Sequence, residues 1–472
     1  MNNEKTPNQQ LHEKLTFVSK NAASKISPHE METIFAFSEG YKTFLDNSKT
    51  EGCCVETVIE MAKKRGYTEF APGKKYTPGS KVYVRNRGAA VMLSTIGTRP
   101  LEDGLRVIAS HIDSPRLDLK PNPLYEKDEI AYLKTHYYGG VRKYQWPTIP
   151  LALHGVVFKE DGEMVRINIG EDENDPLFYI TDLLPHLGKD QNKKTLSEAF
   201  TGECMNLIVG SLPDSDSSDE KGIENKTKFA VLKLLHKKYG ITEADFHTAD
   251  IKAVPAYKAR DIGLDRALVA SYGHDDRVCA YTSIMADFAV TNPEYTTVTI
   301  LADKEEVGSA GNTGLASNFF AYFVEELADV EGAKARRVLA ATKALSADVN
   351  AAFDPAFESA YEKRNSCFIH HGAGVSKYVG SGGKSGTVDA SAAYMSFIRQ
   401  LLDKAGIKWQ VGELGRVDQG GGGTVAKFLA QYDMDIVDIG VPVLSMHAPY
   451  EVVSKIDVYM AFRAFEIFYM NS

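Results

Sequence analysis

The chain has 472 residues, 43% of them hydrophobic and 25% charged, a balance that supports a large folded core and excludes a disordered or membrane-embedded chain. Its formal net charge of -9 argues against nucleic acid as a partner, because phosphate binding needs basic residues that outweigh the acids. The opening stretch, MNNEKTPNQQLHEKLTF, is polar, and no run approaches the ~20 apolar residues of a membrane span, so a cytoplasmic protein without membrane contact is expected.

Apolar residues at helical spacing (Met31, Ile34, Phe35, Phe37) predict helix within residues 28–66, and VYVR and AAVMLSTIG predict a hairpin after it. RVIASHIDSP reads as an apolar strand whose carboxyl end presents His111 and Asp113. The texture then changes. HGVVFKE and MVRINIG are strand-like, and the acidic, serine-rich SLPDSDSSDEKGIENKTK reads as a solvated loop. Residues 117–254 are therefore taken as an inserted domain, separating a first catalytic segment, 1–116, from a second, 255–472.

Beyond residue 254, strand-like TTVTILADKEE, VLAATKALSADVN and MDIVDIGVPVLSMH alternate with helices expected at about 317–329 and 391–405. Such alternation predicts an α/β fold, a sheet with helices on its faces, whose functional groups gather beyond the carboxyl ends of the strands. His111, Glu305, Glu306, Asp348 and His447 all fall at such ends. The cysteines, Cys53, Cys54, Cys204, Cys279 and Cys367, are scattered without a CxxC pair, so a metal would have to rely on histidine and carboxylate.

Five segments hold those groups: SHIDSP (His111, Asp113), GHDDR (Asp275), DKEEVGS (Glu305, Glu306), SADV (Asp348) and SMHAP (His447). A zinc pair needs neutral imidazoles and ionised carboxylates, one of them reaching both ions, and a further carboxylate to take a proton from water. Adjacent Glu305 and Glu306 are able to divide the roles of ligand and proton acceptor. Singly, each residue has a plainer explanation: Asp113 as the cap of a turn, Asp-Lys-Glu-Glu as a solvated loop. Together they form a pattern that independent accidents do not explain.

SHIDSP, GHDDRVCAYTS, DKEEVGSAGNTG, SADVNAAFDP and VPVLSMHAPYEV resemble the motifs of the M18 family of metallo-aminopeptidases, which includes the aspartyl aminopeptidase and vacuolar aminopeptidase I types. The resemblance runs over nearly the whole chain. It implies a zinc-peptidase-like α/β catalytic domain with a central mixed sheet and helices on both faces, interrupted by a strand-rich dimerisation domain. It also implies two zinc ions per subunit, with cobalt or manganese as substitutes, a homo-oligomer built as a dodecamer of dimers, and peptides with a free N-terminus as substrates. Carried over, His111 and Asp348 would hold one zinc, Glu306 and His447 the other, and Asp275 would bridge. Glu305 would be the general base, and Asp113 would orient His111.

The family's aspartyl type carries an acidic, arginine-bearing run after a Gly-Gly pair, where this chain has YYGGVRKYQWPTIPL, so broad use of neutral and hydrophobic first residues is expected. KYVGSGGKSGTVDAS is not a phosphate loop, because Tyr378 stands where its first glycine belongs. The resemblance places Lys384 in the substrate pocket. Gly421 and Gly422, in the Gln419–Thr424 run, are expected on the pocket wall, where glycine lets the backbone approach a ligand. Adjacent His370 and His371 point to opposite sides of an extended chain and cannot share a metal, though one is a candidate to line the site. Two rival readings share this fold: another two-zinc amidohydrolase or carboxypeptidase, and a catalytically silent scaffold.

Overall fold

Four parallel strands carry the middle of the fold: Thr297–Ala302, Arg106–His111, Lys343–Ser346 and Asp435–Gly440, side by side in that order. They belong to a nine-stranded mixed sheet. The hairpin Lys81–Asn86 and Ala90–Thr95 extends it on one side, with the short strand Thr68–Glu69 outermost, and Ala373–Ser376 and Trp409–Val411 extend it on the other. The computed structural model describes residues 5–215 and 222–470.

Buried on both sides, these strands are mostly apolar, and alternate residues point to opposite layers. Ile108, Leu301, Leu345 and Val437 pack into one core with residues of helices Pro28–Asn47, Glu51–Lys63, His274–Ala289, Ala392–Lys404 and Lys455–Met470. Val107, Ala109, Ile300, Ala344 and Ile436 face the other core, with helices Phe319–Glu331, Ala335–Ala341 and Ala426–Ala430. The α/β class, with a central mixed sheet and helices on both faces, is as expected.

A second, six-stranded sheet is antiparallel and uses strands between Arg116 and Pro255. Its hydrophobic core draws on Leu117 through Val254, with Tyr272 added from outside. A third sheet, of five strands, contains Leu268–Ser271, Pro442–Leu444 and Glu451–Ser454, and sits beside the carboxyl edge of the first.

Several boundaries differ from the sequence reading. Residues 28–66 form two helices, because Thr50 caps a new one by accepting a hydrogen bond from the Cys53 amide. VLAA is the end of helix Ala335–Ala341, and only Lys343–Ser346 is strand. MDIVDIGVPVLSMH contributes to two sheets, its break falling at Val441. Of the acidic tract, residues 216–221 lie outside the described residues, and Lys226–Lys228 already belongs to helix Lys226–Tyr239.

Candidate metal centre and active-site cleft

His111 ends its central strand, and the neighbouring parallel strand stops in register with it at Ala302, just before the Asp303–Glu306 turn. Lys343–Ser346, on the other side, releases Asp348 two residues later. Three adjacent parallel strands thus deliver His111, Glu305, Glu306 and Asp348 to one edge. Asp275 arrives from the first turn of helix His274–Ala289, and His447 from the loop after Pro442–Leu444 in the five-stranded sheet.

The result is two overlapping triads whose ligand atoms lie within 4.8 Å of one another: His111, Asp275, Asp348, and Asp275, Glu306, His447. Asp275 belongs to both. Its Oδ1 lies 3.1 Å from His111 Nε2 and its Oδ2 lies 3.1 Å from His447 Nε2. Asp348 Oδ1 stands 3.8 Å from His111 Nε2, and Glu306 Oε2 stands 3.6 Å from His447 Nε2. Glu305 and Asp276 belong to neither triad.

Each histidine is aimed by what its other nitrogen meets. His111 Nδ1 lies 3.1 Å from the Asp113 carbonyl and 3.3 Å from its carboxylate, and His447 Nδ1 lies 3.0 Å from the Gly140 carbonyl. Each Nδ1 thus has a carbonyl to donate to, which turns both Nε2 atoms toward the triads. Gly140 permits this approach, because a Cβ there would stand 3.0 Å from His447 Nδ1. Asp113, fully buried, accepts from the amides of Glu305 (3.1 Å) and Glu306 (3.2 Å) and from the Tyr138 hydroxyl (2.8 Å), so one carboxylate fixes both the His111 ring and the Glu-Glu turn.

Glu451 plays a similar part on the opposite side, and the sequence reading missed it. Its Oε2 accepts from the Asp275 amide at 3.1 Å and its Oε1 from the His447 amide at 2.7 Å. Burial, with the Asp275 carboxylate adding to it, pushes its carboxyl up to about 8.

The donor set suits divalent cations. Burial pushes the Glu306 and Asp348 carboxyls well above their ordinary range, with neighbouring carboxylates adding to the effect. Burial works against charge on His447, yet the Asp275 hydrogen bond and the charges of Asp275, Glu306 and Glu451 together outweigh it and raise the imidazole to about 10. Among the described residues, the ion pairs of Asp275, Asp348 and Glu306 are all with His111 or His447. Asp275 Oδ1 and Glu306 Oε1 are buried without a hydrogen-bond partner. Crowded, buried carboxyls facing imidazole Nε2 atoms, some of their oxygens without a hydrogen-bond partner, are the donor set a zinc ion would satisfy.

A cleft of about 500 Å³ opens over the triads. Glu305 lines it, and burial raises its carboxyl, with His111 opposing and Asp275 adding. Gly421 and Gly422 line it as expected. At Gly421, φ is +115° and a Cβ would meet the Gly380 carbonyl at 2.0 Å, so only glycine fits. Val379, Leu414, Phe428 and Met446 supply apolar surface, beside Lys427 and the buried carboxyl of Asp438.

Lys384 requires a correction. It does not line this cleft: its ammonium bonds Asp389 Oδ2 at 2.8 Å and lies 3.7 Å from the Tyr378 ring centroid, an arrangement that satisfies the charge outside the site. Lys427 is the lysine on the cleft wall. His370 and His371 are also absent from the lining, their Nδ1 atoms each 2.7 Å from a serine hydroxyl, Ser454 and Ser19.

The sequence profile of the family described as Aminopeptidase I zinc metalloprotease (M18) matches residues 44–469. A protein of Clostridium acetobutylicum named "Probable M18 family aminopeptidase 1" is 46% identical over 460 residues, covering 96% of this chain and 98% of its own. The crystal structure of an M18 family aminopeptidase from Thermotoga maritima matches with a TM-score of 0.92 at 40% identity, over 97% of this chain and 100% of that one. A dodecamer of mApe1 from S. cerevisiae shares the fold, with a TM-score of 0.75 at 20% identity over 93% and 97% of the two chains. The residues on the cleft and the match along nearly the whole sequence lead to one conclusion: the chain belongs to the M18 family of zinc aminopeptidases, which are peptide hydrolases.

Proposed function

We propose that this enzyme removes the first residue of peptides with a free N-terminus, using two zinc ions held by His111 and Asp348 on one side, Glu306 and His447 on the other, and Asp275 between them. The observation that carries this reading is the sharing of Asp275 by the two triads, one oxygen toward each histidine. Cobalt or manganese would also suit the imidazole and carboxylate donors. Zinc supplies Lewis acidity toward water and the scissile carbonyl. Glu305, on the cleft wall and outside both triads, takes the proton of the attacking water and delivers it to the departing amine nitrogen. Asp113 keeps His111 in the required tautomer while holding the Glu305 amide. Glu451 ties the loops of Asp275 and His447 together. Gly421 and Gly422 bring bare backbone to the peptide, and the apolar wall favours neutral and hydrophobic first side chains.

A substrate panel tests this. Leucyl peptides should be cleaved and their N-acetylated twins left intact, and Lys427→Ala should lower cleavage of glutamyl more than leucyl substrates, by about tenfold, with Lys384→Ala changing neither. Equal cleavage of free and acetylated peptides would point to the amidohydrolase reading, and a tenfold wild-type preference for aspartyl over leucyl substrates would overturn the specificity.

Residues 117–254 are proposed as an inserted domain that joins subunits, with a dodecamer of dimers as the full assembly. Supporting this, the stretch holds exposed Leu177, Leu183, Leu184, Leu187 and Leu212, side chains that a neighbouring subunit would cover. The structural relative mApe1 forms a dodecamer. Light scattering should give a mass far above 52.0 kDa. A fully active monomer would reject the assembly. No helix among the described residues is long and apolar enough to cross a membrane, and a cytoplasmic enzyme is proposed.

A further inference from the structure

Away from the metal ligands, Cys53 and two side chains of the six-stranded-sheet segment make a second reactive arrangement. Cys53 stands in the first turn of helix Glu51–Lys63, and its Sγ lies 3.8 Å from His154 Nδ1. His154, on strand Leu151–Phe158, is 4% exposed, and its Nε2 lies 2.8 Å from Glu171 Oε1. Glu171 is itself held by Lys49 at 2.9 Å and by Lys258 at 2.8 Å. A thiol, an imidazole and an orienting carboxylate in series is the geometry by which a base activates a sulfur nucleophile. It also spans two parts of the fold, since the thiol comes from helix Glu51–Lys63 and the imidazole from a strand of the six-stranded sheet.

Cys53 borders open space. Cys53, partly buried, lines a surface groove of about 780 Å³ together with Glu56, Glu60, Lys64, Arg65 and Tyr281. The other cysteines differ. Burial pushes the Cys54 and Cys367 thiols up to about 12 and raises Cys279 further, while Cys204 is exposed without a base beside it. At Cys53 burial also favours the thiol, but the hydrogen bond and charge of His154, with the Thr50 hydroxyl, together overcome it and hold the group below the ordinary thiol range. The remaining groups facing it are Thr50, which lowers it, and Glu56, which raises it and is itself paired with Arg166.

We propose that Cys53, His154 and Glu171 form an activated-thiol site that exchanges with low-molecular-weight disulfides. The Cys53 proton passes to His154 Nδ1, the imidazolium being stabilised by Glu171. The sulfur attacks one sulfur of the disulfide, a new S–S bond forms as the old one breaks, and the departing thiolate takes the proton back from His154. The products are Cys53 as a mixed disulfide and one free small thiol. The site places no demand on zinc or on the peptidase reaction.

The test uses the intact chain and hydroxyethyl disulfide as the probe, with adducts at each cysteine followed by peptide mass spectrometry. Cys53 should form its mixed disulfide about tenfold faster than the more exposed Cys204 at neutral pH, and its alkylation by iodoacetamide should show a midpoint below about 8.5. His154→Gln should return the midpoint to the ordinary range and slow the exchange about tenfold. The wild-type comparison of Cys53 with Cys204 stands without any variant. Cys53 reacting no faster than Cys204, or a midpoint at or above the ordinary range, would overturn the proposal.

Discussion

Replacing Glu305 by glutamine should cut kcat by roughly 100 to 10,000-fold while both metals stay bound. The side chain lies on the cleft wall but in neither triad, so the change removes a proton acceptor without removing a ligand. Its scaffold is untouched as well. The hydrogen bond to Asp113 comes from the Glu305 backbone amide, which the glutamine variant keeps, so Asp113 continues to hold His111. A loss confined to kcat, with metal content and fold intact, assigns the base role to Glu305. Near-normal turnover removes it from that role and leaves the proton to another group.

Asp275→Asn should have the larger effect on metal content, lowering it from two ions per chain toward one or none, with activity lost beyond detection. An amide offers one oxygen where the carboxylate offers two, and here the two oxygens face different histidines. The charge that offsets two dications is removed at the same stroke. The fold should survive, because Glu451 binds the backbone amide of this residue and not its side chain. Elemental analysis of the purified variant reads the outcome. Two ions per chain would transfer the bridge to Asp276, whose carboxylate is fully buried beside it and has no hydrogen-bond partner.

The sequence made the central strands legible because burial on both faces makes them mostly apolar, so a cluster of polar residues after such a run marks the sheet edge. His111, Glu305, Glu306 and Asp348 followed from that rule. His447 was read by the same rule, although its strand belongs to a separate small sheet, whereas Asp275 comes from a helix start and only its motif singled it out. Glu451 and Tyr138 were invisible. They act through backbone amides and a carboxylate already assigned, and nothing in local spacing distinguishes such a residue from an ordinary buried polar one. Lys384 failed for a related reason. A lysine in a glycine-rich loop carries no record of whether its charge is already satisfied, and here Asp389 satisfies it. The helix in VLAATKALS was misread because short apolar runs lack a period long enough to separate helix from strand.

Titration of the chelated enzyme with zinc, followed as hydrolysis of a leucyl peptide, tests the two-ion account most directly. Activity should be absent after chelation and should return with added zinc, reaching its plateau only at two bound ions per 52.0 kDa chain, with the acetylated peptide uncleaved throughout. Full activity at one ion per chain, or hydrolysis that persists after both are removed, would contradict it.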